Sequence, residues 1–145
     1  MCDLDQVCYI FLKRLKFLDN RQYCKNPSKA RAHPKFSIGI KEVHRKILYT
    51  NMKVIIIAND VNEEEVHEKI HLKIDLEEIC KNKGILLIQC LSKKVLAKIL
   101  KKSKTVSCVS ILSIEGAEEE YENLLRVSKI YLPILKQIHQ NSLFP

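Results

Sequence analysis

One carboxylate, Glu42, stands among four cationic or titratable side chains, Lys41, His44, Arg45 and Lys46, in the stretch Ser37-Ile38-Gly39-Ile40-Lys41-Glu42-Val43-His44-Arg45-Lys46. A surface built only to hold phosphates would exclude that acid. Gly39 and Ile40 fall in the first turn of the expected helix, where free backbone N–H groups favour an anion and a glycine lets a ligand approach closely. Lys41, Arg45 and Lys46 suit phosphates, whereas Glu42 needs donors to accept from. A guanine edge offers two adjacent donors, N1–H and N2–H, to a single carboxylate. The competing explanation is a surface ion pair between Glu42 and Lys46 at i,i+4, and spacing alone leaves both open.

Other chemistry is poorly supported. The chain has no Gly-rich phosphate loop, no nucleophile elbow, no H-E-x-x-H and only three glycines, which argues against an enzyme. A Cys90/His44 pair is a weak nucleophile candidate, pairing a strand cysteine with a surface-helix histidine. The six cysteines, Cys2, Cys8, Cys24, Cys80, Cys90 and Cys108, form no C-x-x-C pair and have no histidines at zinc spacing. They read as reduced, mostly packed thiols, and no cofactor or metal follows from them.

The elements that must carry this segment are legible in part. With 145 residues, 46% of them hydrophobic, the chain can bury one core. Leu4, Val7, Phe11, Leu12, Leu15 and Leu18 predict an amphipathic helix over residues 3 to 19 that packs on the main domain. A basic, poorly periodic stretch from Asn20 to Lys35, punctuated by Pro27 and Pro34, reads as a linker, so residues 1–34 form an extension and 35–145 the domain proper. Ser37 is the expected N-cap of a helix reaching about Tyr49, with Ile40, Val43 and Ile47 inward.

Val54 to Ala58 reads as a strand buried on both sides, Ile85 to Leu91 as a second buried strand, and Val106 to Leu112 as a third. Helical material fills 62 to 83, with Ile74, Leu76, Ile79 and Cys80 as its apolar set and Gly84 as its stop. Ser92 caps a helix in which Val95, Leu96, Ile99 and Leu100 face inward. The acids Glu115 and Glu118 to Glu120 open a last helix, which Pro133 should end or kink near Leu132. This alternation predicts an α/β fold, a three-layer α/β/α sandwich with a mixed, roughly four-stranded sheet and an N-terminal helical extension.

Charge placement agrees with a polyanion as partner. The formal net charge is +8, and residues 1–53 hold 12 Lys and Arg against 4 acids, while residues 54–145 hold 13 of each. All of the excess lies in the first third. No apolar run approaches a membrane span, and the N-terminus carries acids where a signal peptide would carry bases. The expectation is an intracellular, aqueous compartment, the cytoplasm first and the nucleus as the alternative.

The segment Gly39 to Arg45 resembles the G-x-[N/R]-E-x-x-[K/R] signature of the kink-turn-binding superfamily of ribosomal proteins. The likeness runs from residue 35 to about 132: Val54 to Asp60 is similar to the superfamily's strand with its I-A-x-D end, Gly84 to Leu91 to its K-G-I-P strand, and Ser92-Lys93 to its S-K helix opening. Within the superfamily, the SECIS-binding proteins are the nearest likeness. Tyr23 to Ala30 resembles their Y-x-K-x-P-x-K-A lead-in, and Ser113 to Ala117 their S-x-D-G-A turn, with Val106-Ser107-Cys108-Val109 also similar. Lys41 replaces the Asn preferred by the wider superfamily, which favours this subgroup, and Ala97 replaces the Gly of S-K-x-x-L-G.

The resemblance implies a non-catalytic protein that binds a kinked RNA stem with tandem sheared G·A pairs, as in the SECIS element in the 3′ untranslated region of selenoprotein mRNAs, in support of selenocysteine incorporation at UGA during translation. Lys41 and Glu42 would read guanines, Arg45 and Lys46 would hold backbone, and Lys93 would reach a phosphate. The loop from Ser103 to Ser107, with Thr105, Val106 and Ser107 as its RNA-binding residues, would cover the flipped-out nucleotide, Val106 packing on a base. Ribosome and selenocysteine-specific elongation factor are implied further partners of a monomer that takes no membrane. Two alternatives are a ribosomal or small-ribonucleoprotein kink-turn binder, and a protein-interaction adaptor on the same fold that docks through acidic surfaces around Glu63 and Glu118.

Overall fold

The computed structural model describes residues 3–60 and 67–143, with side chains over 3–60 and 71–130. Its elements run α1 (Asp3–Lys25), α2 (Pro27–Ala32), β1 (Phe36–Ile38), α3 (Ile40–Lys46), β2 (Val54–Ile57), α4 (His67–Lys83), β3 (Leu86–Gln89), α5 (Lys93–Leu100), β4 (Cys108–Ile111) and α6 (Glu118–Leu143). The four strands form one mixed sheet in the order β1-β4-β2-β3, antiparallel except for the β2–β3 pair. This is the expected layered α/β architecture with its N-terminal helix.

The period of two in the central strands builds the layers. Val54, Ile56 and Ala58 of the β2 segment, with Val109 and Ile111 of β4, join a core with Leu4, Cys8, Phe11, Leu12 and Leu15 of α1, Leu96 and Leu100 of α5, and Leu124 of α6. Ile55, Ile57 and Cys108 face the other way, against Ile40, Val43 and Ile47 of the α3 segment and Leu76 and Cys80 of α4. Helices α1, α5 and α6 thus cover one face of the sheet, and α3 and α4 the other.

Several expectations are corrected. Residues 20–32 are helical rather than a linker, because local signals replace the missing apolar period: Asn26 accepts from the Lys29 N–H at 3.2 Å, Pro27 opens α2, and Ala30 is its buried residue. Ser37 is not an N-cap but a residue of β1 paired with Ser110, and α3 begins after Gly39. That helix stops at Lys46 instead of Tyr49, where the Lys83 ammonium donates to the Ile47 and Leu48 carbonyls at 2.8 and 3.2 Å.

Strand β3 is a half-buried edge, with Gln89 exposed, since among the described residues only β2 pairs with it. Ile74 of α4 is exposed rather than inward. Gly84 does end α4, the Ile85 N–H returning to the Cys80 carbonyl at 3.0 Å in a Schellman closure. Helix α6 runs past Pro133 to Leu143, so of the two expectations for that proline, an end or a kink, the end does not occur. Residues 62–66 of the expected helix, including the acidic surface at Glu63, lie outside the described residues.

Docking of α1 depends on a close approach. The turn before α6 needs the +89° φ of Gly116, a conformation that favours glycine, and a Cβ there would lie 2.8 Å from the Leu18 Cδ1 of α1, so that side chain would have to shift. The Arg14 Nε donates to the Gly116 carbonyl at the same turn. Among the described residues no helix is long and apolar enough to cross a membrane.

Candidate nucleic-acid interface

Three separated segments meet at one end of the sheet. In register, Ile38 pairs with Val109 and Ile57 with both Cys108 and Gln89, so the residues that follow β1, β2 and β3 and precede β4 share one level. Backbone bonds extend the convergence: the Gly39 N–H donates to the Cys108 carbonyl at 2.8 Å, Ala58 N–H to Ser107 at 2.9 Å, Asn59 N–H to Leu91 at 2.8 Å and Val106 N–H to Lys93 at 3.2 Å. The segments 39–46, 92–93 and 105–107, far apart in the sequence, therefore form one neighbourhood.

Gly39 adopts φ +101° and ψ 138°, a conformation that side-chain-bearing residues rarely enter, and it turns the chain from β1 into α3. Ile40 and Val43 anchor the helix to the core, being 3% and 0% exposed, which leaves Lys41, Glu42, Arg45 and Lys46 on the outer arc. Arg45 donates through Nη2 to Glu42 Oε1 at 2.6 Å, and the Lys46 Nζ meets the same oxygen at 3.0 Å. The expected pairing with Lys46 is present, and Arg45 shares it. Both cations hold the Glu42 carboxyl below its usual range, Arg45 by the larger share, while Glu42 in turn holds the Arg45 guanidinium up.

The sign of that shift gives a pH prediction. A carboxylate with a depressed folded pKa supports the helix above its unfolded value of 4.5 and loses that support as pH falls through the folded value. Site-resolved NMR titration should place the Glu42 midpoint below 4.5, and Arg45→Ala should move it back toward that value. A midpoint unmoved by Arg45→Ala would mean that the ion pair does not form in solution.

Lys93 opens α5, where the Ser92 Oγ accepts from the Val95 N–H at 3.2 Å and the Asp60 carboxylate accepts from the Lys93 N–H at 2.9 Å. Thr105 is exposed, Ser107 is 9% exposed, and Val106 is a core residue at 4% exposure. The Val106 side chain packs inward with Val109 and Leu96 rather than presenting an apolar surface. Sequence reasoning missed Asp60 and Asp5 as supports of the loop 91–93, for Asp5 accepts from the Leu91 N–H at 3.0 Å. An acid in a first helical turn looks like a dipole partner, and nothing local in sequence marks a bond across 86 positions.

Four cations of the first third, Arg21, Lys25, Lys29 and Lys35, line an open cleft of about 990 Å³ at the other end of the sheet, together with His33 and Glu115. Its field adds to long-range attraction for a polyanion.

Four of the thiols, Cys8, Cys80, Cys90 and Cys108, are packed groups. Burial pushes the Cys80 thiol up to about 11 and that of Cys108 up to about 12, and the neighbouring Cys8 thiol together with burial raises Cys90 as well. Cys90 lies in the core under α1, whereas His44 is on the opposite layer with its Nε2 3.5 Å from Asp75. The two do not meet, which removes the Cys/His candidate. Cys24 is the exposed thiol among the described residues.

Residues 22–121 match the family described as ribosomal protein L7Ae/L30e/S12e/Gadd45. The chain is 27% identical over 121 residues to selenocysteine insertion sequence-binding protein 2 of Rattus norvegicus, a match covering 81% of this chain and 14% of the relative. It is 25% identical over 134 residues to selenocysteine insertion sequence-binding protein 2-like of Homo sapiens, covering 88% and 12%. The chain thus spans about one seventh or less of these relatives. Among solved structures it is similar to the 15.5kD RNA binding protein of Giardia lamblia, with TM-score 0.62, 16% identity and coverage of 89% and 98%. A protein of unknown function from Bacillus halodurans C gives TM-score 0.54, 12% identity and coverage of 79% and 95%. At those identities the structural likenesses establish the fold.

Proposed function

Because the chain belongs to the ribosomal protein L7Ae/L30e/S12e/Gadd45 family, we propose that it is a non-catalytic RNA-binding module that recognises a kinked stem with sheared G·A pairs, the SECIS element of selenoprotein mRNAs first among them. The observation that carries this reading is the meeting of 39–46, 92–93 and 105–107 at one sheet end, with a carboxylate set among cations on an outer helix face. Glu42 and Lys41 read guanine edges, Arg45, Lys46 and Lys93 hold phosphates, and Gly39 with Ile40 brings the first turn of α3 close to the RNA.

The 105–107 loop contributes its exposed Thr105 and its backbone beside the extruded nucleotide. Val106 acts from beneath, since reaching a base would require it to leave the core. The similarity to two SECIS-binding relatives over most of this chain favours a SECIS stem over a ribosomal or small-ribonucleoprotein kink-turn. Support for selenocysteine incorporation, with ribosome and elongation factor as further partners, is the wider activity to which such a module would contribute.

A gel shift at ~0.15 M salt tests the reading, since lower salt inflates non-specific binding. A SECIS stem should bind more tightly than the same stem with its G·A pairs replaced, and a ribosomal kink-turn should compete less well than the SECIS stem. Equal binding of the intact and replaced stems refutes guanine reading.

A further inference from the structure

Leu91 sits in the turn from β3 to α5 with φ +63°, a left-handed conformation for a branched apolar residue that is 3% exposed. Glycine or asparagine would enter such a turn readily, whereas leucine must be held there. Four hydrogen bonds fix this turn, two of them at Leu91 itself. Three come from the sheet end itself: Asn59 N–H to the Leu91 carbonyl at 2.8 Å, Lys93 N–H to Asp60 Oδ1 at 2.9 Å, and Val106 N–H to the Lys93 carbonyl at 3.2 Å. The fourth crosses from α1, where Asp5 Oδ1 accepts from the Leu91 N–H at 3.0 Å.

Asp5 is itself firmly placed. Leu4 and Cys8, on either side of it along the helix, are 2% and 0% exposed, and Cys8 shares the core with Cys90, the neighbour of Leu91. A carboxylate acceptor makes a stronger bond to an amide than a neutral one. The N-terminal helix therefore reaches past the core to hold the turn that leads into Ser92 and Lys93.

We propose that Asp5 is a positioning residue of the RNA interface, its carboxylate holding Leu91 in the left-handed turn that sets Lys93 beside the 105–107 loop. The proposal rests on the RNA-binding function proposed above. Glu42 does not depend on this turn, because Gly39 and α3 are fixed through the Cys108 carbonyl. Loss of Asp5 should then weaken the phosphate contact while guanine discrimination stays. Charge alone predicts the opposite sign, since removing an acid strengthens attraction for a polyanion.

The test compares Asp5→Ala, Asp5→Asn, Lys93→Ala and the Asp5→Ala/Lys93→Ala double variant of the full chain, using a SECIS stem and its G·A-replaced version across a salt series. Asp5→Ala should weaken binding of the intact stem by a factor similar to Lys93→Ala and lower the slope of log affinity against log salt by about 0.7 to 0.9, the worth of one phosphate. The double variant should bind no more weakly than Lys93→Ala, the preference for intact over replaced stem should persist, and Asp5→Asn, which keeps an acceptor oxygen, should recover most of the loss. Multiplying losses in the double variant, or an unchanged salt slope, overturns the proposal.

Exchange of the Leu91 amide in the free protein separates this idea from the RNA reading. Faster exchange in Asp5→Ala with an unchanged slope means that Asp5 holds the turn but not the interface, which refutes positioning alone. Equal affinity of wild type for intact and replaced stems refutes the RNA reading instead. If Asp5→Ala does not fold, Asp5→Asn carries the test: a smaller slope loss with faster Leu91 exchange supports the proposal, and wild-type slope with faster exchange overturns it.

Discussion

Glu42→Ala should weaken binding of an intact SECIS stem by roughly 10- to 100-fold, the discrimination expected when a two-point contact to a base edge is lost. The affinity for a stem with its G·A pairs replaced should hold or rise. The reason lies in the pairing of Glu42 with Arg45 and Lys46, which spend part of their charge on an internal acid at 2.6 and 3.0 Å. Without the acid both become more available to phosphates, so non-specific attraction grows while guanine reading disappears. The measurement is the ratio of the two affinities at ~0.15 M salt, because low salt raises both.

A parallel fall on both stems would mean that Glu42 only fixes the geometry of two phosphate-binding cations. No change on either would favour a docking surface elsewhere on the same fold. Lys98→Ala is the control for charge: Lys98 is exposed on α5, away from the converging segments, and its loss should act weakly and vanish as salt is raised.

Much of this arrangement is legible in the amino-acid sequence, and the reasons differ by residue. Val54 to Ile57 is a β-branched apolar run and Cys108 to Ile111 is mostly apolar and β-branched, which marks both as buried strands, and they occupy the centre of the sheet. Ser92 announces its helix by chemistry that operates within three residues, as caps do. Ser37 offers the same chemistry and misleads, because strand pairing with Ser110 outweighs a cap and Gly39 supplies the turn. Edge status of β3 is hidden because burial of a strand depends on its neighbours in the sheet.

Within the candidate site, Glu42 and its cations lie on one helix, so spacing alone puts them together. Leu91, Asp60 and Asp5 are invisible as a unit, since their bonds join three elements far apart in the chain. Val106 shows the same limit from the other side. Its strand-like neighbourhood reads as apolar, yet only packing reveals that the apolar surface is used inward.

Phe11→Ala should destabilise the whole chain by about 3 to 5 kcal/mol, the range for deleting a fully buried aromatic ring. Phe11 is 0% exposed, its ring centroid lies 6.0 Å from that of Tyr121, and it shares one core with Val54, Ile56 and Val109 of the sheet. Position 11 nonetheless falls outside residues 22–121, where the family match lies. If α1 were an appendage, its loss would fray one helix and leave the main unfolding transition where it was. Because α1 instead fills the face of the sheet that α5 and α6 leave open, urea denaturation should show a single transition with a lowered midpoint and an unchanged slope. A second early transition, with the main midpoint unmoved, would show that the core closes without this helix.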